Sequence, residues 1–295
     1  MQEYSTYHDD LEYCKQFLFS FGSNYSLATK LFPKKAREST LIWYSFLRYA
    51  DEIVDNPTDK LPGQTHQNLD QFMDEWRKVI ETGKFREAHP IVRANHQLFT
   101  QYGIPFDYTF DFLDVMQQDL TKSRYKTYAE LEHYMWGSAS VVGHVMTFIV
   151  GYTDRVAFDH ARALGEAMQL ANFLRDVDED YQDRDRIYLP ENDMQVFGVT
   201  EEMIANQKMK PELRNFIQHY TERTEELFEK GIEGIKYLKK GRFSILLASR
   251  MYRENIRILK RRNYDVFGEA IRLSKGKKIS VLIGTFVLYV LRGLK

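Results

Sequence analysis

Two stretches of this 295-residue chain set pairs of aspartates four positions apart, Asp51 with Asp55 and Asp176 with Asp180. Drawn as helices at about 100° per residue, Tyr44, Arg48, Asp51 and Asp55 fall within an arc of about 60°. Gln169, Asn172, Phe173, Asp176 and Asp180 share one of about 100°. Aspartate is a poor helix former and like charges at i,i+4 repel, so helix stability alone would sooner set Lys against Asp at that spacing. Hard divalent cations favour oxygen ligands, and Mg²⁺ usually takes one or two carboxylates plus substrate phosphates. Each pair also follows a hydrogen-bonding side chain on the same face, Arg48 three residues before Asp51 and Asn172 four before Asp176. Arg48 offers phosphate a permanently charged, bidentate partner. Either stretch alone reads equally as a solvated acidic face. Taken together they indicate two acidic helices that hold Mg²⁺, and through it a diphosphate.

The elements that carry these residues are predicted to be helices. Ala163, Ala167, Leu170 and Leu174 form an apolar stripe that begins about 60° beyond the second acidic arc, so one stripe can pack while the other faces a cavity or solvent. Arg175 points away from the carboxylates on the same wheel. Pro and Gly number only 7 and 16. They punctuate the chain near residues 33, 57–63, 83–90, 103–105, 151, 190–198, 211 and 241, leaving segments with apolar positions three and four apart. Strand-like alternation is scarce and no linker is rich in Gly, Ser and Pro. The pattern predicts one all-α domain over residues 1–295.

The two acidic motifs and their surroundings resemble the squalene/phytoene synthase family, the head-to-head isoprenyl diphosphate synthases. Its markers are residues 23–33, Tyr44-x3-Arg48-x2-Asp51-Glu-x2-Asp55, Gln169-x2-Asn172-x2-Arg175-Asp176-x2-Glu179-Asp180, and the tail at residues 186–190. The resemblance runs from about Tyr13 to the end of the chain. It implies an isoprenoid synthase-type helical bundle around a central cavity. It further implies Mg²⁺ ligation, with Mn²⁺ as a substitute, by Asp51, Asp55, Asn172 and Asp176, supported by Asp180. Ser23, Asn24, Tyr25, Ser26, Tyr44, Arg48, Gln169, Arg175 and Tyr252 are implied as prenyl diphosphate contacts, and Asp119 as a further acidic position near the cavity. One departure is that Asn24 and Tyr25 stand where the family usually carries Ser then Phe. Asn can still donate to a phosphate. The implied reaction is a phytoene synthase-like coupling of two geranylgeranyl diphosphates. The C30 reaction on farnesyl diphosphate, to dehydrosqualene or, with NADPH, to squalene, is the alternative within the family. A non-catalytic scaffold that keeps the fold is the alternative outside it, and the four intact aspartates argue against that.

Composition narrows the rest. Lys+Arg is 41 and Asp+Glu is 42, so the near-neutral chain has no general electrostatic reason to bind nucleic acid. Cys14 is the single cysteine, which rules out an intramolecular disulfide and any multi-cysteine metal site. The eight histidines show no zinc-ligand spacing, and no Walker, Rossmann or nucleophile-elbow motif is present. The polar N-terminus does not read as a secretory signal, which points to a cytoplasmic protein. Residues 279–291 form the longest apolar run, well short of the roughly 20 needed to span a bilayer. That run reads either as a buried C-terminal helix or as a basic-flanked helix in peripheral contact with a membrane. Gly137, Ser140 and Gly143 recur at i+3, suited to close helix packing or to a smooth wall beside a prenyl chain. Residues 181–190 read as a solvated connector; the resemblance implies a flap over bound diphosphate.

Overall fold

Proline and glycine mark the helix ends. Pro90 and Pro211 open helices where a missing N–H is harmless, while Gly103 (φ 62°) and Gly198 (φ 71°) close others in the left-handed region. The computed structural model describes residues 2–20, 27–55 and 64–291, with the side chains of residues 2–6, 55 and 64 outside that description. In chain order the α-helices are α1 (Gln2–Ser20), α2 (Leu27–Lys30), α3 (Lys34–Asp55), α4 (Gln64–Thr82), α5 (Pro90–Tyr102), α6 (Asp107–Gln118), α7 (Tyr128–Met135), α8 (Val141–Val150), α9 (Ala157–Arg175), α10 (Val177–Arg184), α11 (Glu191–Phe197), α12 (Glu201–Ala205), α13 (Pro211–Glu233), α14 (Arg242–Arg261) and α15 (Lys275–Leu291). A π-helical turn, Trp136–Ser140, joins α7 to α8, and a 3₁₀ turn, Gly234–Tyr237, follows α13. Among the described residues there is no strand, only two isolated bridges. The all-α class is borne out.

The chain divides into two compact units, Met1–Thr121 with Val145–Gly151, and Lys122–His144 with Tyr152–Lys295. The first is built on aromatic rings. Trp43 and Phe46 of α3 and Trp76 of α4 are fully buried. The rings of Phe46 and Trp76 approach to 5.0 Å, and those of Trp43 and Phe99 to 5.4 Å. Such pairs contribute about 0.5–1.5 kcal/mol each beyond the area they bury. Some of the polar groups among them are matched, with Trp76 Nε1 donating to Thr109 Oγ1 (2.6 Å) and Asn95 Nδ2 to the Ile42 carbonyl (3.0 Å), while the buried Trp43 Nε1 has no hydrogen-bond partner among the described residues. Ile42, Trp43, Phe46 and Ala50 therefore commit one face of α3 to the core. Its opposite face, with Tyr44, Arg48 and Asp51, is left open.

In the second unit α9 is the central packing element. A Cβ added at Gly165 would lie 2.7 Å from the Ala139 carbonyl oxygen, and one at Gly143 would lie 2.7 Å from that of Ala161. Gly143 and Ala139 of the 137–143 stretch thus serve close backbone approach to α9. The start of α7 is fixed by Thr127, which accepts from the Glu130 amide (3.2 Å) while Glu130 accepts from the Lys126 amide (2.8 Å).

Three sequence expectations need correction. Residues 163–180 are not one helix: α9 ends at Arg175 and Asp176 (φ −107°, ψ 13°) separates it from α10. The amides of Asp176 and Asp180 still donate to the carbonyls of Asn172 and Asp176, so the four-residue register survives the break. Nor is the segment after α10 a solvated connector. Ile187, Tyr188 and Leu189 are buried, and the Ile187 and Glu191 amides donate to the carbonyls of Ser123 and Tyr125. Finally, α15 is not a buried helix. Of its residues only Val281 and Thr285 are buried, because a helix of this length laid on one neighbour hides only a narrow stripe.

Candidate active site

On α3 the acidic stripe carries its own counter-charge. Arg48 donates to Asp51 Oδ2 (2.7 Å) and also pairs with Glu52. This relieves the carboxylate repulsion that the i,i+4 spacing creates, at a site where Arg48 and Asp51 keep over a third of their side-chain surface in solvent. Tyr44, one turn earlier, is 45% exposed on the same face. Asp55 lies in the last turn of α3; its side chain falls outside the described residues, as do Ser23, Asn24, Tyr25 and Ser26. Asp119 caps the end of α6, its amide donating to the Val115 carbonyl (3.0 Å).

The second stripe is arranged differently. Asn172 Nδ2 donates to Gln169 Oε1 (3.4 Å), which sets these two amides one turn apart on α9. At the break, Arg175 forms a bidentate pair with Asp176, Nε to Oδ1 at 2.6 Å and Nη2 to Oδ2 at 2.5 Å. The straight wheel placed Arg175 away from the carboxylates; leaving the helical conformation at Asp176 brings them together. Tyr252 of α14 joins this group. Burial pushes its phenol up, and Asp176 adds to that while Arg175 opposes it. Asp180 is partly buried. Desolvation, and next the negative charge of Asp176, push its carboxyl up to about 7 against the pull of Arg184 and Arg186. Beneath it lies a cavity of about 20 Å³, room for a single water, lined among others by Phe173, Asp180, Arg186 and Tyr188.

The second unit thus assembles Gln169, Asn172, Arg175, Asp176, Asp180 and Tyr252, and the first presents Tyr44, Arg48 and Asp51. Among the described residues no group of three or more His, Cys, Asp or Glu side chains is placed to hold a metal. Sequence reasoning gave no role to Glu52, although it stands beside Asp51 in the motif and shares Arg48. It used Arg186, which donates to the Tyr188 hydroxyl (3.1 Å), only as part of the marker at 186–190, and passed over Arg124. Arg124 binds the Asp185 carbonyl, Asp185 Oδ1 (2.7 Å) and Glu201 Oε1 (2.9 Å), holding the turn after α10. That clamp joins positions 61 and 77 residues apart, so no local pattern announces it. The positive φ of Asp185 (50°) is also invisible in a linear reading.

Comparison with known proteins identifies the family. The squalene/phytoene synthase family profile matches residues 20–277. A phytoene synthase of Arthrospira platensis is 29% identical over 96% of this chain and 94% of its own. One of Thermus thermophilus is 30% identical over 92% and 90%. Among solved structures, a ligand-bound dehydrosqualene synthase superposes with a TM-score of 0.85 at 27% identity, covering 97% of this chain and 98% of that one. The squalene synthase HpnC of Alicyclobacillus acidocaldarius gives 0.80 at 24% identity, over 88% and 97%, and speaks for the isoprenoid synthase fold alone. With the profile covering most of its length, the chain belongs to the squalene/phytoene synthase family of prenyltransferases, which act on prenyl diphosphates.

Proposed function

We propose that the protein is a phytoene synthase-like enzyme that condenses two geranylgeranyl diphosphates head to head, through prephytoene diphosphate, to phytoene. Residues 1–295 act in this reading as one isoprenoid synthase domain. The observation that carries it is the second acidic motif: Asp180 is held partly buried beside Asp176, at a cost in its own ionisation, and Asp176 in turn pairs with Arg175 and acts on Tyr252. A stripe kept only for solubility has no reason to bury a carboxylate against its like. The carboxylate and amide oxygens fit a hard cation. Asp51, Asp55, Asn172, Asp176 and Asp180 would hold Mg²⁺, or Mn²⁺ in its place. When bound, the metal supplies charge neutralisation to a departing diphosphate.

The chain's own groups do the rest. Arg48 and Arg175 bind phosphate oxygens through paired N–H donors. Gln169, Tyr44, Tyr252 and the segment Ser23, Asn24, Tyr25 and Ser26 orient the diphosphate. Departure of that group leaves an allylic cation, which the C2=C3 double bond of the second substrate attacks; proton loss closes the cyclopropane. The second ionisation, rearrangement and a final proton loss complete phytoene, with released pyrophosphate as the base. Holding both substrates together supplies the proximity that lets coupling compete with hydrolysis. The turn at residues 185–190, clamped by Arg124, excludes water from the cations.

The phytoene synthases at 29% and 30% identity support the C20 substrate. The likeness to a dehydrosqualene synthase favours, as a second reading, the C30 reaction on farnesyl diphosphate, with NADPH required only for squalene. Mass-spectrometric identification of the hydrocarbon made from C20 or C15 diphosphate, with and without NADPH, decides between them. Phytoene from the C20 substrate is expected. Predominant C30 product overturns the assignment, and no product from either, in a protein that binds no diphosphate, leaves a scaffold. An enzyme with a wholly apolar product is expected to work on the cytoplasmic side in peripheral contact with a membrane, through the C-terminal helix.

A further inference from the structure

We infer that α15 is an anionic-membrane docking helix: it lies in the headgroup layer with Ile279, Ile283, Phe286, Val287 and Val290 toward the acyl chains and basic residues at both ends on the phosphates. This deepens the membrane contact proposed above by naming its surface and its lipid chemistry.

The exposed apolar residues recur at i, i+4, i+7, i+8 and i+11, which on a helix is one continuous stripe. Each is between 40% and 60% exposed. They stand opposite Val281 and Thr285, the two side chains buried on α15. The helix is fastened from its other side and at Phe286, which leaves Ile279, Ile283, Val287 and Val290 turned to solvent. Lys277 Nζ reaches the nearly inaccessible Glu254 Oε1 of α14 at 2.6 Å, and Phe243 meets the rings of Phe286 and Tyr289 at 6.3 and 5.3 Å. A solvent-facing stripe of this kind is a surface awaiting a cover.

Charge identifies the cover. Residues 234–295 carry sixteen Lys and Arg against three Asp and Glu, a formal +13, which leaves −14 for the remainder of a chain whose total is −1. Exposed Lys275 and Lys278 precede the stripe at one end. At the other, the contact of Phe243 with Phe286 brings the start of α14 alongside, next to exposed Lys239 and Lys240. Positive charge therefore brackets the apolar stripe, the pattern that suits a helix lying in an anionic interface. A second copy of the chain would bring the same positive charges against these. No helix among the described residues is long and apolar enough to cross a membrane, so the helix lies on it.

Vesicle co-sedimentation of the full chain tests this. At low salt the wild type is expected to bind phosphatidylglycerol-containing vesicles at least about tenfold more tightly than pure phosphatidylcholine ones, and to release as salt rises. Ile283→Glu with Val290→Glu should weaken binding by about tenfold or more, and Lys239→Glu or Lys240→Glu by about fivefold each. These side chains are exposed, so melting curves should be unchanged. Prenyl transfer in detergent should also be unchanged, which separates failure of the docking from failure of the enzymatic reading. Three results overturn the proposal: a folded wild type that ignores anionic vesicles, a double variant that binds as the wild type does, or a wild-type dimer that the double variant dissolves.

Discussion

The two Asp-x3-Asp motifs solve the same electrostatic problem in opposite ways. On α3 the repulsion is met by an arginine on the same uninterrupted helix, in a solvent-washed position where Arg48 serves Asp51 and Glu52 together. At the junction of α9 and α10 the chain leaves helical geometry at Asp176, turns Arg175 onto that aspartate, and leaves Asp180 to hold a proton to about neutral pH. One motif is met by pairing within a continuous helix, the other by pairing across a break together with burial. Identical spacing in sequence thus gives, at Asp51, a carboxylate that is paired and accessible, and at Asp180 one that a cation or a proton must complete.

Substituting each motif in turn probes this contrast most strongly. Asp51→Asn and Asp176→Asn should each lower kcat by about 100-fold or more, since both would hold metal. The melting temperature should fall by only a few degrees, because the lost pairing with Arg48 or Arg175 is offset by relief of carboxylate repulsion. A comparable loss of stability in both variants, read by thermal melts beside the kinetics, would remove the motifs from the site.

The packing that supports the second motif is expected to be less forgiving than its carboxylates. Gly165→Ala places a methyl 2.7 Å from the Ala139 carbonyl oxygen, a backbone atom with no side chain to yield. A loss of about 1–3 kcal/mol in denaturant unfolding is expected.

Titration separates the motifs further. Folded Asp180 keeps its proton to about 7, whereas the ordinary carboxyl loses it near 3.8, so between those values the native state binds more protons than the unfolded chain. Metal-free protein should therefore lose stability as pH rises through that window and level off above it. Asp180→Asn should remove the slope and raise stability at pH 8 by about 1–2 kcal/mol, allowing for the partial exposure of the group. An unchanged slope would show that Asp180 titrates normally.

The smallest effect belongs to the clamp. Arg124→Ala deletes ion pairs to Asp185 and Glu201, both half or more exposed, so only about 1 kcal/mol is expected from them. A larger fall in kcat than in stability would tie the turn after α10 to catalysis.

The helical class and several helix ends were legible because Pro90, Gly103, Gly198 and Pro211 act through their own backbone preferences, which need no tertiary context. The face of α3 was legible for a related reason: Trp43, Phe46 and Ala50 form one buried stripe and Arg48 and Asp51 fall opposite. The break at Asp176 was not, since no Pro or Gly stands there and the helical register of its amide is kept. Burial of residues 187–189 was hidden for the same kind of reason. It depends on Ser123 and Tyr125, more than sixty residues earlier in the chain.

The π-helical turn at Trp136–Ser140 has a consequence for every later position of its helix. One residue more than an α-turn requires is wound into it, and all side chains beyond are rotated by about 100° relative to a regular continuation. Gly137, Ser140 and Gly143, which regular spacing would align, are thereby put out of phase across the turn. Deleting a single residue there would give a smoother backbone ladder but would swing Gly143 off the Ala161 carbonyl and drive a bulkier neighbour against it. An inserted residue of this kind works as an angular spacer that sets the facing of α8, and shortening it would be felt in packing rather than in hydrogen bonding.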